Sequence, residues 1–383
     1  MKKLALIAGK DLRYYGGGEK DIIGLANLLK NDYKITLFYP EGNNNLRVDY
    51  NYLLNTIDKR IELNKFKTLI FKLTEDYIPI NMGGIKLLFK LKEFDVIYSM
   101  SQSIIFNMFI LFMSTFYNKR FIIGIHTPYF FRKSPIGKNF LKHLFMPFYS
   151  FLRLVLIKSV KNVRVQNSTD IKSLHNLGYK GSIYVIPPHI FDTKPTIIKN
   201  NQSHFVVLFL GRLDILQKGI DLLDEIVRIV LRQNKNVLFK VVGSGEDGEK
   251  IIKNLELEFK NNFEWLGFLE DAKIPSIFNK SSLFVFPSRG ENFGIALAEA
   301  QLYGLPAVAF NVMGSKDVLN KDFLGKKVPP FNTENFAKEI LHYYELWKSN
   351  KILYNALKIK ISAYTAEKYN NKKLLKAIKK MLG

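Results

Sequence analysis

A chain of 383 residues is longer than one hydrophobic core usually organises, so two domains of under two hundred residues each are expected. Hydrophobic residues at 47% and charged residues at 24% are globular values, and the absence of cysteine excludes disulfides, thiolate metal sites and a cysteine nucleophile. A formal charge of +23 asks for an anionic partner, whether nucleic acid, an anionic membrane surface or a phosphorylated substrate, unless it is a lysine-rich solvated surface and nothing more.

In chain order, the apolar run Leu4–Ala8 meets Lys10, Asp11 and Arg13 too soon for a secretory signal and reads as a first β-strand. Gly16-Gly17-Gly18-Glu19 follows and opens a helix. Further strands are expected at Lys34–Tyr39, Asp95–Ser99, Phe121–His126, Val163–Gln166 and Ile183–Pro187, alternating with helical patterns as in a parallel sheet. The apolar segment Ile104–Tyr117, interrupted by Asn107, falls short of the roughly 20 residues a membrane span needs. Around Pro187–Pro188 and the polar stretch from Thr193 to Ser203 the pattern pauses, which marks a linker. It restarts with Phe205–Leu210, Val237–Val242, Phe263–Leu266, Leu283–Pro287 and Ala307–Phe310. From Asn332 onward the pattern is helical and ends in a basic stretch, Lys372 to Lys380, with Leu374, Leu375, Ile378 and Met381 on one face. The expected fold class is therefore α/β, with two Rossmann-like domains at 1–190 and 191–383 and a last helix free to pack back on the first. Ligands of such sheets bind beyond the carboxyl ends of the strands, so the site is expected in the cleft between the domains.

The segment from Phe286 to Pro306 reads as a strand, a glycine-containing turn, a helix and a Gly304-Leu305-Pro306 exit. Phe293, Gly294 and Ile295 would start that helix with free backbone N–H groups at its positive end, a site suited to a diphosphate. A carboxylate beside phosphate is repelled, so Glu291 suits sugar hydroxyls and Glu299 ribose hydroxyls. Taken alone, the pair also fits two solvated or helix-stabilising glutamates. Gly211-Arg212-Leu213-Asp214, followed by Gln217-Lys218-Gly219, falls where the first strand of the second domain ends. There the planar fork of Arg212 and the point charge of Lys218 could neutralise one anion. Val242-Gly243-Ser244-Gly245-Glu246 is a similar strand-to-helix turn.

This region resembles the family 4 glycosyltransferases of the GT-B fold, whose signature is two glutamates separated by seven residues, here Glu291 and Glu299 around Phe293-Gly294. The resemblance implies that Glu291 contacts the donor sugar and Glu299 the nucleotide ribose, and that Arg212 and Lys218 hold the donor diphosphate. It also implies that Gly17 and Gly18, in a Gly-Gly-x-Glu element, lie near the reacting sugar or phosphates; as a bare glycine turn they would be a flexible loop. His126 matches a histidine found beside the donor sugar, although lone histidines more often serve packing. Trp265-Leu266-Gly267-Phe268 resembles the loop against which the base rests, so Gly243, Gly267 and Phe268 join the expected donor contacts. Asn292 stands where glycine is commoner, and the interval between Arg212 and Lys218 is one residue longer than usual. Pro187-Pro188-His189 and Val312-Met313-Gly314 also depart from the family pattern.

The resemblance further implies retention of anomeric configuration without a required metal, and the sequence lacks an obvious Asp-x-Asp cation site. Front-side attack and a glutamate nucleophile both remain open. The expected catalytic set is His126, Arg212, Lys218 and Glu291, with no cofactor beyond a nucleotide diphosphate-sugar as co-substrate. A glycan or lipid-linked acceptor would bind the N-terminal domain. There Phe130-Phe131-Arg132-Lys133 and the stretch from Lys138 to Lys161 form an aromatic and basic surface, in which Phe140, Leu144, Phe148, Phe151 and Leu152 alternate with Lys138, Lys142, Arg153 and Lys158. It fits either an anionic membrane interface or a crossover helix with a basic outer face. A nicotinamide oxidoreductase would need a G-x-G-x-x-G turn that Gly16–Gly18 does not supply. A sugar-nucleotide epimerase of the same fold would need acid and base carboxylates that have no evident place. A nucleic-acid binder would need a recognisable module, so no specific nucleic acid is expected. The expected location is the cytoplasm or the inner face of its membrane.

Overall fold

In the computed structural model, residues 1–12, 16–41, 51–67, 69–71, 76–78, 82–101, 103–126, 140–190 and 203–383 are described. They form two compact units, Met1–Ile190 with Asn371–Gly383, and Phe191–Asn370.

The first unit runs β1 (Lys2–Ile7), α1 (Gly17–Leu29), β2 (Tyr33–Glu41), α2 (Asn51–Asn55), β3 (Glu62–Lys67), β4 (Leu69–Phe71), β5 (Asp76–Ile78), α3 (Met82–Lys90), β6 (Val96–Ser99) and α4 (Ile104–Phe116). It continues through β7 (Arg120–Ile125), α5 (Phe140–Ser159), β8 (Asn162–Val165), α6 (Thr169–Asn176) and β9 (Ser182–Val185). Seven strands pair in parallel in the order β3-β2-β1-β6-β7-β8-β9, while β4 and β5 form a separate antiparallel pair. Leu4 and Leu6 of β1 face one core with Ile22 and Leu25 of α1; Ala5 and Ile7 face the other with Phe106 and Ile110 of α4. This period-two alternation is what a sheet covered on both faces requires.

The second unit contains β10 (Phe205–Leu210), α7 (Ile215–Lys218), α8 (Ile220–Gln233), β11 (Val237–Val242), α9 (Glu246–Glu258), β12 (Phe263–Trp265), α10 (Ile274–Asn279), β13 (Leu283–Phe286) and α11 (Ile295–Leu302). After these come β14 (Ala307–Phe310), α12 (Ser315–Val318), β15 (Gly325–Val328), α13 (Thr333–Ser349) and α14 (Lys351–Lys368). Its six strands are parallel in the order β12-β11-β10-β13-β14-β15. The final helix, α15 (Asn371–Leu382), belongs to the first unit, where Leu374, Ile378 and Met381 join the core of β1 and α1 and Arg120 donates to the Met381 carbonyl at 2.9 Å.

In each sheet the first strand lies between the second and a later one, so the order reverses at β1 and at β10. Neighbouring crossovers leave in opposite directions at such a point, opening a crevice at the carboxyl end of the strand. The connection after β1 leads into Gly16–Glu19 at the start of α1, and the one after β10 is Gly211–Lys218, which includes the short helix α7. Strand ends differ from expectation by one or two residues: β7 stops at Ile125 and β8 at Val165, leaving His126 and Gln166 just past the sheet. Residues 127–139 and the linker stretch 193–202 lie outside the described residues, as do the side chains of Phe140, Lys142 and Leu144. Among the described residues no helix is long and apolar enough to cross a membrane.

Candidate functional site

Three turns at the carboxyl ends of β10, β11 and β12 are tied together through their backbones. Gly211 N–H donates to the Val242 carbonyl at 3.0 Å, Gly243 N–H to the Gly267 carbonyl at 2.7 Å, and Trp265 Nε1 to the Gly243 carbonyl at 2.9 Å. Gly243 has φ +140°, and a Cβ there would sit 1.8 Å from the Gly211 carbonyl oxygen, so only glycine permits this crossing. Over Gly267 and Gly290 an added Cβ would meet no atom within 4 Å, which leaves their backbone open to a ligand. Phe268, next to Gly267, is half-buried.

Beside these turns Asp214 caps α7, its carboxylate accepting from Gln217 N–H at 2.6 Å. The Arg212 guanidinium is 55% exposed; it donates to Gln217 Oε1 at 3.1 Å and lies 3.5 Å from Asp214. Lys218, at the end of α7, forms an ion pair with Glu291 from the turn after β13, and the two side chains are only 19% and 12% exposed. Lys218 Nζ also stands 5.9 Å above the Phe286 ring. The sequence places both cations here, and the structure adds that Lys218 is paired with Glu291.

Two further residues hold this arrangement. Arg289 makes two bonds of 2.6 Å to the Asp221 carboxylate, donates to the Ile215 carbonyl at 2.6 Å, and its backbone N–H donates to the Gln217 carbonyl at 2.8 Å. It therefore clamps α7 to the turn that carries Glu291. Hydrogen bonding to Arg289 holds the Asp221 carboxyl below its usual range. Gly314, at φ +86°, backs the same turn, since a Cβ there would lie 2.7 Å from the Glu291 carbonyl oxygen.

The helix expected to begin at Phe293 begins at Ile295, with Gly294 as its left-handed cap at φ +89°. A left-handed residue cannot continue an α-helix, so Phe293 stays outside it and packs edge-on against Tyr369 at 5.6 Å. Glu299 is buried in α11. Burial, and then the charge of Glu299, pushes the Asp271 carboxyl up to about 7, so the ribose candidate Glu299 has a carboxylic neighbour that sequence reasoning missed.

In the first unit Gly16 caps α1, Gly17 and Gly18 form its first turn, and the Glu19 carboxylate folds back over Gly16. Space above Gly18 is open to 4 Å. His126 follows β7 with a side chain only 4% exposed. Its Nε2 lies 2.9 Å from the Tyr98 hydroxyl, and its Nδ1 lies 2.6 Å from the Gln166 amide nitrogen and 3.4 Å from Asp21. Arg164, fully buried, lies 3.1 Å from the equally buried Asp21, and donates to the Tyr98 hydroxyl at 3.0 Å and the Pro187 carbonyl at 2.7 Å. His189 N–H completes the node by donating to Asp21 at 2.7 Å. Burial first, and then Arg164, lowers the His126 pKa to about 3 against the opposing pull of Asp21. The ring is uncharged at neutral pH. Gly124 leaves room for it: a Cβ there would lie 2.3 Å from both His126 Nε2 and the Tyr98 hydroxyl.

Residues 191–359 match the family described as glycosyl transferases group 1. An uncharacterized 41.2 kDa protein of the Klebsiella pneumoniae cps region is 26% identical over 274 residues, covering 68% of this chain and 73% of that protein. The UDP-Gal:alpha-D-GlcNAc-diphosphoundecaprenol alpha-1,3-galactosyltransferase of Escherichia coli is 28% identical over 154 residues, which is 39% of each chain. The chain is a glycosyltransferase. Its fold is GT-B: Anabaena HepE in complex with UDP superposes with a TM-score of 0.74 at 19% identity, over 100% of this chain and 99% of that one. The comparisons favour neither an epimerase nor a nucleic-acid binder.

Within this transferase, Arg212, Lys218, Glu291, Gly243 and Gly267 gather on loops of the second sheet, with Glu299 and Asp271 a separate pair. Gly17, Gly18 and His126 belong to the first unit. Asp21, Arg164, Tyr98, Gln166, Asp221, Arg289 and Asp271 escaped sequence reasoning. Only Arg164 carried a local signal, as a cation alternating with two valines in an inner strand.

Proposed function

We propose that this transferase moves a sugar from a nucleoside diphosphate-sugar, with UDP-sugars the first candidates, onto a glycan or lipid-linked acceptor, with retention of configuration, as a family 4 enzyme of the E-x7-E type. The observation that carries the reading is the Lys218–Glu291 ion pair beside Arg212 at the carboxyl end of β10. A diphosphate entering there offers Lys218 more negative charge than Glu291 does. The pair then exchanges: Lys218 and the fork of Arg212 take the phosphate oxygens, and Glu291 is released toward the sugar hydroxyls. Glu299 accepts from the ribose hydroxyls.

In this scheme the bond from the anomeric carbon to the phosphate oxygen breaks while the acceptor oxygen bonds the same face. The acceptor proton passes to the departing phosphate, so the products are the glycoside and the nucleoside diphosphate. Arg212, Lys218 and the first-turn N–H groups of α11 stabilise the charge growing on the leaving group, as a metal cation would elsewhere. Transfer should then persist in a chelator. His126, uncharged at neutral pH and with both ring nitrogens held by Tyr98 and Gln166, transfers no proton in this scheme and serves to position its neighbours. The UDP complex of HepE supports the choice of base, and the diphosphoundecaprenol acceptor named for the Escherichia coli relative supports a lipid-linked acceptor.

The test is incubation of the purified chain with isotope-labelled UDP-sugars and diphosphoprenol-linked sugar acceptors in EDTA, with the product anomer assigned by NMR. An α-linked product from an α-donor is expected. An inverted product would remove the retaining assignment, and isomerised sugar nucleotide without transfer would restore the epimerase.

A further inference from the structure

The outward face of α4 is anomalous for a helix bordering water. Ile104–Phe116 contains no charged residue, and Phe109, Phe112 and Phe116, spaced to lie on one stripe, all point outward, the last two 66% and 73% exposed. On α5 the stripe Phe148, Phe151 and Val155 repeats the pattern, and on α3 Ile85 and Phe89 are exposed likewise. The inner faces of the three helices, through Leu87, Ile110 and Leu156 among others, share one core with Ile97 and Ile123 of the sheet. All three therefore cover the same side of the seven-stranded sheet, and their stripes look away from it together. A set of exposed aromatics this extensive marks an interaction surface.

The charge around it selects the partner. No Asp or Glu occurs between Asp95 and Asp170, whereas Lys119, Arg153, Lys158 and Lys161 flank the stripes. Acids border the face at its α3 side, where Glu93 follows the helix and β5 with Asp76 packs on α4, but along α4 and α5 the flanking charges are all basic, and a mostly basic rim around phenylalanines matches anionic headgroups above acyl chains. Thirteen residues of α4 span only about 20 Å, so the helix lies along a bilayer and does not cross it.

We propose that the outer face of α3, α4 and α5 docks this transferase on an anionic lipid bilayer. The proposal deepens the reading of a lipid-linked acceptor, whose sugar headgroup would be met at that surface.

Flotation of the full chain with phosphatidylglycerol-containing vesicles, against pure phosphatidylcholine vesicles, tests it. Wild type should float with the anionic vesicles in low salt and be released by high salt. The triple variant Phe109→Ser, Phe112→Ser, Phe116→Ser should partition at least about tenfold less, and Lys119→Glu with Lys158→Glu should abolish the salt-sensitive part. All three chains should melt alike and bind UDP equally in solution, which separates loss of docking from failure of the transferase reading. Equal flotation of the Phe variant, or no flotation of wild type, would overturn the proposal. So would a wild-type dimer that the Phe variant converts to monomer, which would give the face to a second copy of the chain.

Discussion

Substitutions in the Lys218–Glu291 pair should move nucleotide affinity in opposite directions. If the diphosphate displaces Glu291 from Lys218, then binding of bare UDP must first break an existing ion pair. The side chains are 19% and 12% exposed, which puts the net worth of the pair at about 1 kcal/mol after desolvation is set against attraction. Glu291→Gln removes that cost, so UDP should bind about fivefold more tightly. Lys218→Ala instead deletes a charge-assisted contact worth about 1.5–3 kcal/mol, so UDP should bind roughly 10- to 100-fold more weakly. Turnover of the UDP-sugar should fall in both variants, because the proposed role of Glu291 is at the sugar. Titration calorimetry with UDP on the wild type and both variants, with thermal melts to establish folding, decides the matter. If Glu291→Gln weakens UDP as Lys218→Ala does, the exchange of partners is wrong.

Other consequences follow from the same geometry. Gly243→Ala places a methyl group 1.8 Å from the Gly211 carbonyl oxygen and should cost about 2–4 kcal/mol in urea unfolding, whereas Gly267→Ala, at φ +65° in open space, should cost only about 1 kcal/mol. Arg289→Ala should cost about 1 kcal/mol of stability, because its partner Asp221 is well exposed and screened, yet raise the KM for donor by loosening α7. The His126 pKa is lowered from 6.5 to about 3, so the unfolded chain takes up the proton first as pH falls; stability present above pH 6.5 is lost at up to ~1.4 kcal/mol per pH unit down to about 3. A His126→Gln variant should show a shallower decline in acid melts. Asp271 shifts the other way, from 3.8 to about 7, so its contribution is full below pH 3.8 and is lost as pH rises through about 7. Asp271→Asn should accordingly gain on wild type at pH 8 and not at pH 4.

Inner strands were legible because Leu4–Ile7, Phe205–Leu210 and Leu283–Phe286 are apolar runs that a doubly covered sheet buries on both faces. The edge strands β3 and β15 were not. Glu-Leu-Asn-Lys-Phe-Lys and Gly-Lys-Lys-Val carry the charges of a solvated sheet margin, which hides the strand pattern. Glycine-marked turns announced the loops bearing Arg212, Lys218 and Glu291, since left-handed or crowded backbone at Gly219, Gly243 and Gly294 leaves a readable residue type. The supporting pairs left none. Asp21 and Arg164 are 143 residues apart, Asp221 and Arg289 are 68 apart, and each is an ordinary charged residue until the fold buries or aligns it with its partner. His126 was visible as a histidine at a strand end, but its charge state depends on that hidden network.

The central claim, a diphosphate site built from Arg212 and Lys218, is tested most directly by thermal melts of the wild type and of Arg212→Ala with UDP, GDP and ADP. One nucleoside diphosphate, with UDP expected, should stabilise the wild type by roughly 2.7 kcal/mol at a hundredfold excess over its Kd, and the variant far less. A wild type unmoved by every nucleotide, or a variant stabilised as strongly, would contradict it.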